Sequence, residues 1–290
     1  MRANSSLLFG TTAVLIALNY PLGALALRGM SPFLLILLRF GATAVIAWVA
    51  VAALRSALPQ GSTWWHAAGA GVLVQGAQFL GAYWAMSHGV GAGVTALMIA
   101  MNPVLVTILS GVISRRREPA LVYLAVAIAM VAVVLACLPR ILRDPSLGSG
   151  VFAALIALVG LAVGSVWQGR TLQGVSPVSF TAIGVTASLP FAGVLLLMND
   201  EYVAPGATTW VLLAAVTIVG LLGTTAYAAY IGRAGARRAS IVFAIIPALA
   251  AIGSWAMLGE PLDLAIGAAL VLGCAACVID VVASRRVTGS

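Results

Sequence analysis

Gly29-Met30-Ser31-Pro32 and Gly174-Val175-Ser176-Pro177 stand 145 residues apart and read as one motif used twice. Each is a turn closed by a proline that opens an apolar run, because proline supplies a helix start and cannot continue the helix before it. Further matches lie outward from this pair at nearly the same offset. Thr63-Trp64 answers Thr209-Trp210, Ala82-Tyr83 answers Ala226-Tyr227, Pro103 answers Pro247 and Glu118-Pro119 answers Glu260-Pro261. The offset drifts from 146 to 142, as small loop insertions would make it do in a duplicated chain.

The material between the matches is apolar. Of 290 residues, 62% are hydrophobic and 8% are charged, where a soluble domain carries about a quarter charged. That composition excludes an ordinary soluble enzyme, and disorder would need low hydrophobicity and high charge. A membrane span needs about 20 apolar residues. Ten such runs can be read, at 7–27, 32–54, 64–88, 93–113, 119–138, 148–168, 178–198, 209–231, 239–258 and 262–283. Arg2 and the Ala24-Leu25-Ala26 stretch give the first run the outline of a signal peptide. Asn19-Tyr20-Pro21 interrupts it, however, and it has a counterpart later in the chain, so it reads as span 1. The expected fold is an all-α polytopic membrane protein of ten transmembrane helices in two five-helix repeats, 1–143 and 144–290.

Five is odd, so the second repeat enters the membrane from the opposite side. With the N-terminus inside, the inner segments hold Arg2, Arg55, Arg115, Arg116, Arg117, Arg170, Arg233, Arg237, Arg238, Arg285 and Arg286. The outer loops hold only Arg28, Arg140 and Arg143. Eleven against three places both termini in the cytoplasm by the positive-inside rule. Aligned loops differ in charge as inversion requires: Arg233, Arg237 and Arg238 align with Gly89, Gly93 and Val94. Inverted repeats of this kind build secondary transporters, with the binding site near the midplane. Reporter fusions at Ser290 and within 199–208 should therefore read cytoplasm and periplasm, and a periplasmic signal at Ser290 would overturn the inversion.

Several chemistries are excluded. All 15 cationic residues are Arg, and a phosphate-binding Walker loop needs Lys. The arginines sit between apolar runs, so they read as cytoplasmic loop anchors and not as a nucleic-acid surface. Cys137, Cys274 and Cys277 lie in apolar runs, and the single CxxC has no second ligand pair, so neither a metal site nor a disulfide framework is expected. No HExxH, GxSxG or paired Asp occurs in a span, which leaves no catalytic candidate and no cofactor. His66 and His88 fall at span ends and read as interfacial. Gly89-Val90-Gly91-Ala92-Gly93 has the glycines of a nucleotide loop but joins two spans, so it reads as a tight turn. The seven acids all sit in loops or at span ends. Small cations and proton coupling through a buried acid are disfavoured, and downhill exchange fits better.

Polar groups at membrane depth are costly unless they face protein or a wet cavity. Asn19 with Tyr20, Gln75 and Gln78 at i, i+3 spacing, and Asn102 are such groups. They serve either helix–helix hydrogen bonding, worth under about 1 kcal/mol per contact, or a substrate cavity. Arg39 lies about eight residues, roughly 12 Å, into span 2 from the outer side. Its repeat partner is Gly184, so the fold does not demand it. It either snorkels or anchors a substrate carboxylate. Tyr83 and Tyr227 are repeat equivalents placed near opposite faces, either in an aromatic belt or as a pair of gates. Pro103 and Pro247 should kink spans 4 and 9. Gly160 and Gly164, and Gly81, Ala85 and Gly89, form small-residue stripes for close helix packing.

Ten spans in two repeats, with proline in the fourth of each followed by Glu-Pro, resemble the drug/metabolite transporter superfamily, EamA branch, over nearly the whole chain. Within it the chain looks most like the YddG-type exporters of aromatic and other neutral amino acids. The resemblance implies a bacterial inner-membrane protein, for which a monomer suffices, with a central cavity lined by helices 1, 3, 4, 6, 8 and 9. It also implies a small-molecule substrate: an amino acid, or the drugs and purines moved by neighbouring members. The family often has Trp before the fourth-span proline, where this chain has Asn102. A channel, an intramembrane enzyme and a structural membrane subunit are the readings from other classes.

Overall fold

A computed structural model describes residues 2–115, 147–200, 202–204 and 206–260, with interspersed helical positions between 120 and 135 and between 264 and 279. Most of the expected spans 5 and 10, the repeat boundary at 143–144, Glu118 and the arginines Arg116, Arg117, Arg140, Arg143, Arg285 and Arg286 lie outside the described residues.

Among the described residues every element is helical, and the single β contact is an isolated bridge between Met30 and Val203. Helix α1 covers Arg2–Leu27, and α2 covers Pro32–Ala53. The third run is α3 (Ser62–Gly71), a π-helical segment (Val72–Ala77) and α4 (Gln78–Ser87). The fourth is α5 (Ala92–Ile99) and α6 (Asn102–Ile113). The second half supplies α7 (Leu147–Thr171), α8 (Pro177–Leu197) and α9 (Ala207–Ala234). It closes with α10 (Ala236–Ser240), a 3-10 turn (Ile241–Ala244) and α11 (Ile246–Leu258). Among the described residues, seven helical runs are long and apolar enough to cross a membrane. The third run is divided by its π segment.

Helices are the form in which a span satisfies its backbone without water. Their limits follow proline and glycine. Pro32 and Pro177 occupy the first turn of α2 and α8 behind serines in extended or near-extended conformation. Pro103 and Pro247 occupy the first turn of α6 and α11. Each of those spans is therefore interrupted ahead of its proline, where the missing N–H would otherwise break the ladder. Gly259, in the left-handed region, ends α11.

The two halves interleave: α2 packs on α8, α1 on α9 and α11, and α4 on α7. Glycines set the approach. A Cβ on Gly81 would stand 2.5 Å from the Ala153 carbonyl, and one on Gly164 would stand 3.0 Å from that of Ala70. The Gly160–Gly164 pair thus lies against the third run around its π segment, a close crossing of small residues. Val45, Val49, Phe152, Val194 and Leu197 are exposed, as a surface solvated by lipid tails would have them.

At the end of the bundle where α1 stops, loops of both halves are joined. Ser31 N–H donates to the Tyr202 carbonyl at 3.1 Å, and Ala204 N–H donates to that of Gly29 at 2.8 Å. Glu260 makes a second link. Its carboxylate accepts from the backbone N–H of Ala92 at 2.9 Å and of Gly93 at 3.3 Å, at the N-terminus of α5. The glycine-rich turn that outwardly resembles an anion loop thus presents its amides to a carboxylate of its own chain.

Candidate functional site

A buried slot runs between α1, the third run, α7 and α9 and is closed on one side by Phe243 of the 3-10 turn. Five rings line it: Tyr20, Phe79, Tyr83, Tyr227 and Phe243. Asn19, Gln78 and Thr224 add polar atoms, and no acid is among the described residues that line it. Thr224 is occupied locally, its hydroxyl donating to the Gly220 carbonyl at 2.8 Å. The slot has a cavity volume of about 30 Å³, room for waters but not for a metabolite. In this conformation it is narrow, and a solute would enter only as the surrounding helices part.

Asn19 and Tyr20 both line the slot, and Asn19 Oδ1 and the Tyr20 hydroxyl are buried without a hydrogen-bond partner among the described residues. Such atoms are rare because each forfeits a hydrogen bond that water would have supplied.

Gln78 lines the slot, but Gln75 does not. Gln75 faces α8 instead: a Cβ on Gly184 would stand 3.6 Å from its side chain, and its Nε2 is unpartnered. The reason is the π segment. Spacing of i, i+3 puts two residues on one face only at the α-helical step, and Val72–Ala77 winds more widely.

Asn102 is fully buried behind the slot, and its Nδ2 donates to the Tyr227 hydroxyl at 3.3 Å. Ser165, on α7, shares a hydrogen bond with the same hydroxyl at 3.2 Å. Phe243 meets the Tyr227 ring edge-on at 5.3 Å.

Arg39 stands behind the wall, 2% exposed. Its Nη1 donates to the Tyr83 hydroxyl at 2.7 Å, and its guanidinium carbon lies 4.1 Å over the Phe79 ring. Gly220 makes room for it, since a Cβ there would stand 2.1 Å from Nη2. Arg39 therefore neither snorkels to an interface nor touches the slot directly, and it reaches the slot through Tyr83 and Phe79. Tyr83 and Tyr227 are 2% and 3% exposed, so they face protein and not lipid, unlike belt residues. Each is held from behind by a polar side chain, Arg39 for Tyr83 and Asn102 for Tyr227.

His66 Nδ1 accepts from the Trp167 indole at 3.1 Å. His88 stacks on Trp84. Sequence reasoning missed Ser165, Phe79, Phe243 and Gly220. Their roles arise from contacts between residues far apart in sequence, which no local signal marks.

Residues 148–281 match the EamA-like transporter family. The matched stretch contains α7, α9 and the 3-10 turn, which build one side of the slot. A solved crystal structure of a protein is similar to the chain with a TM-score of 0.69 and 21% identity. The similarity covers 99% of this chain and 100% of that one, and at such identity it speaks for the fold alone. No curated protein sequence matches the chain. Over residues 148–281 the chain is thus similar to EamA-like transporters, and its apolar helices are those of a multi-pass membrane protein.

Proposed function

We propose that the chain is a secondary transporter of the YddG type that exports small neutral or zwitterionic metabolites, amino acids with apolar or aromatic side chains foremost. It would work across a bacterial inner membrane by alternating access, with ten spans in two inverted repeats, 1–143 and 144–290, and both termini cytoplasmic. The observation that carries this reading is a slot walled by five rings in which an unpartnered acceptor, Asn19 Oδ1, sits beside an unpartnered donor, the Tyr20 hydroxyl. A zwitterion offers an ammonium to the first and a carboxylate to the second, while its side chain meets the rings. The described walls of the slot carry no acid, which does not favour a cation.

Tyr83 and Tyr227 would act as gates at the outer and inner ends of the slot. Arg39 would position Tyr83 and would reach a substrate carboxylate only when that ring moves. Gln75, Gln78 and Asn102 would set the helix contacts that change as the halves rock, with the interruptions at Pro103 and Pro247 as the points that bend. Alternating access needs two such states of similar energy, each open to one side.

Counterflow in proteoliposomes tests this. L-Phenylalanine inside should drive saturable uptake of labelled L-phenylalanine. Tyr20→Phe and Asn19→Leu should each raise its apparent KM, by about tenfold for one lost hydrogen bond to a charged group. Non-saturating flux would indicate a channel. Counterflow of nucleobases but of no amino acid would transfer the slot to flat uncharged solutes and end the amino-acid reading.

A further inference from the structure

Beyond the slot lies a second, roomier cavity, toward the end of the bundle that the arginines place outside. It continues the slot along the same helix faces. On α1, Tyr20 lines the slot, and Ala24 and Leu27 line the cavity. On α4, Tyr83 lines the slot, Ser87 lines the cavity, and Met86 lines both. The Tyr83 hydroxyl lies 2.7 Å from where a Cβ on Gly23 would stand, so a layer of Tyr83 and Met86 against α1 separates the two spaces. The outer cavity has a volume of about 460 Å³, against about 30 Å³ in the slot. That is the size of a small-molecule site.

Its lining is composite. Phe33, Trp84 and His88 form a ladder of rings, with Trp84 stacked at 5.3 Å on Phe33 and at 3.9 Å on His88, each pair within 25° of parallel. Arg28 and Asp200 bring opposite charges to the rim, and Arg28 also donates to the Leu258 carbonyl at 3.4 Å. An interfacial tryptophan at a span end would ordinarily mark the membrane surface. Trp84 is instead half-buried between two rings in a cavity wall.

We propose that this vestibule is a second binding site for the zwitterion. Arg28 and Asp200 meet its two charges, and the ring ladder meets its apolar or aromatic body once it has passed the Tyr83–Met86 layer. The proposal rests on the amino-acid reading of the slot. A zwitterionic lipid headgroup has the same paired charges, and the experiment separates the two.

Ser87→Cys is introduced into a chain carrying Cys137→Ala, Cys274→Ala and Cys277→Ala, reconstituted in vesicles and labelled from outside with an impermeant maleimide. L-Phenylalanine is the probe, and counterflow is measured on the same vesicles. L-Phenylalanine should slow labelling severalfold, and should still do so after Asn19→Leu has impaired the slot. Trp84→Ala should weaken the protection about tenfold. Protection that vanishes with Asn19→Leu would come from the slot and overturn the vestibule. Counterflow without protection overturns the vestibule and leaves the slot reading standing. Protection without counterflow supports the vestibule and overturns the slot reading, and the absence of both overturns both. Labelling already slow without added solute in phosphatidylethanolamine vesicles, but fast in phosphatidylglycerol vesicles, assigns the cavity to a lipid headgroup and overturns the solute site.

Discussion

Gly71→Val should destabilise the protein by about 3 kcal/mol. A Cβ on Gly71 would stand 2.2 Å from the Gly184 Cα, and one on Gly184 would stand 2.7 Å from the Gly71 Cα. Both obstacles are backbone, so no rotamer change relieves them, and α3 and α8 must move apart. Separation would also open the neighbouring contact of Gly76 with Ser188, and the cluster of Ala67, Ala70, Phe180 and Ile183. Overpacking in a tight core costs about 1–3 kcal/mol and occasionally more. Here it falls on a backbone crossing held by dispersion, since lipid tails give helices no hydrophobic reason to associate. The expected loss is at the top of that range, and Gly184→Val should match it. Thermal unfolding of the purified protein in detergent checks this. A wild-type midpoint in either variant would show that the crossing is looser than its geometry.

Tyr83→Phe should destabilise the protein more than Tyr83→Phe combined with Arg39→Met. The single change removes the acceptor of a buried guanidinium, and a hydrogen bond to a charged group is worth about 1.5–3 kcal/mol. Phe79 still covers the cation, but a ring face does not accept the lost N–H as an oxygen does. The double variant removes the charge along with its partner and fills the space beside Gly220 with an unbranched apolar chain. Replacing a buried polar pair by apolar groups is often neutral, whereas breaking it is not. A double-mutant cycle on unfolding should give a coupling of about 2 kcal/mol, and additive effects would sink the pairing. L-Phenylalanine counterflow should fall in all three variants, because the ring at position 83 loses its hydrogen bond from behind whichever partner is replaced.

Local chemistry was legible from the chain alone. Hydropathy marked the apolar runs, and helices are the form that lipid allows them, so the described helices lie within a few residues of the expected limits. Pro32, Pro177, Pro103 and Pro247 act on their own backbone, and each sits in the first turn of a helix. The depth of Asn19, Tyr20 and Gln78 follows from counting along a span. Only the tertiary structure decided which way the deep polar groups look. Gln75 parts from Gln78 because a π segment changes the angular step, and no composition or period announces that winding. Arg39 finds a hydroxyl 44 residues away and a space at Gly220, and Glu260 finds amides 167 and 168 residues away. These pairings depend on which helices cross and how closely. In this chain that is set by glycines meeting backbone from the other half, a contact between two sequence positions that neither position encodes by itself.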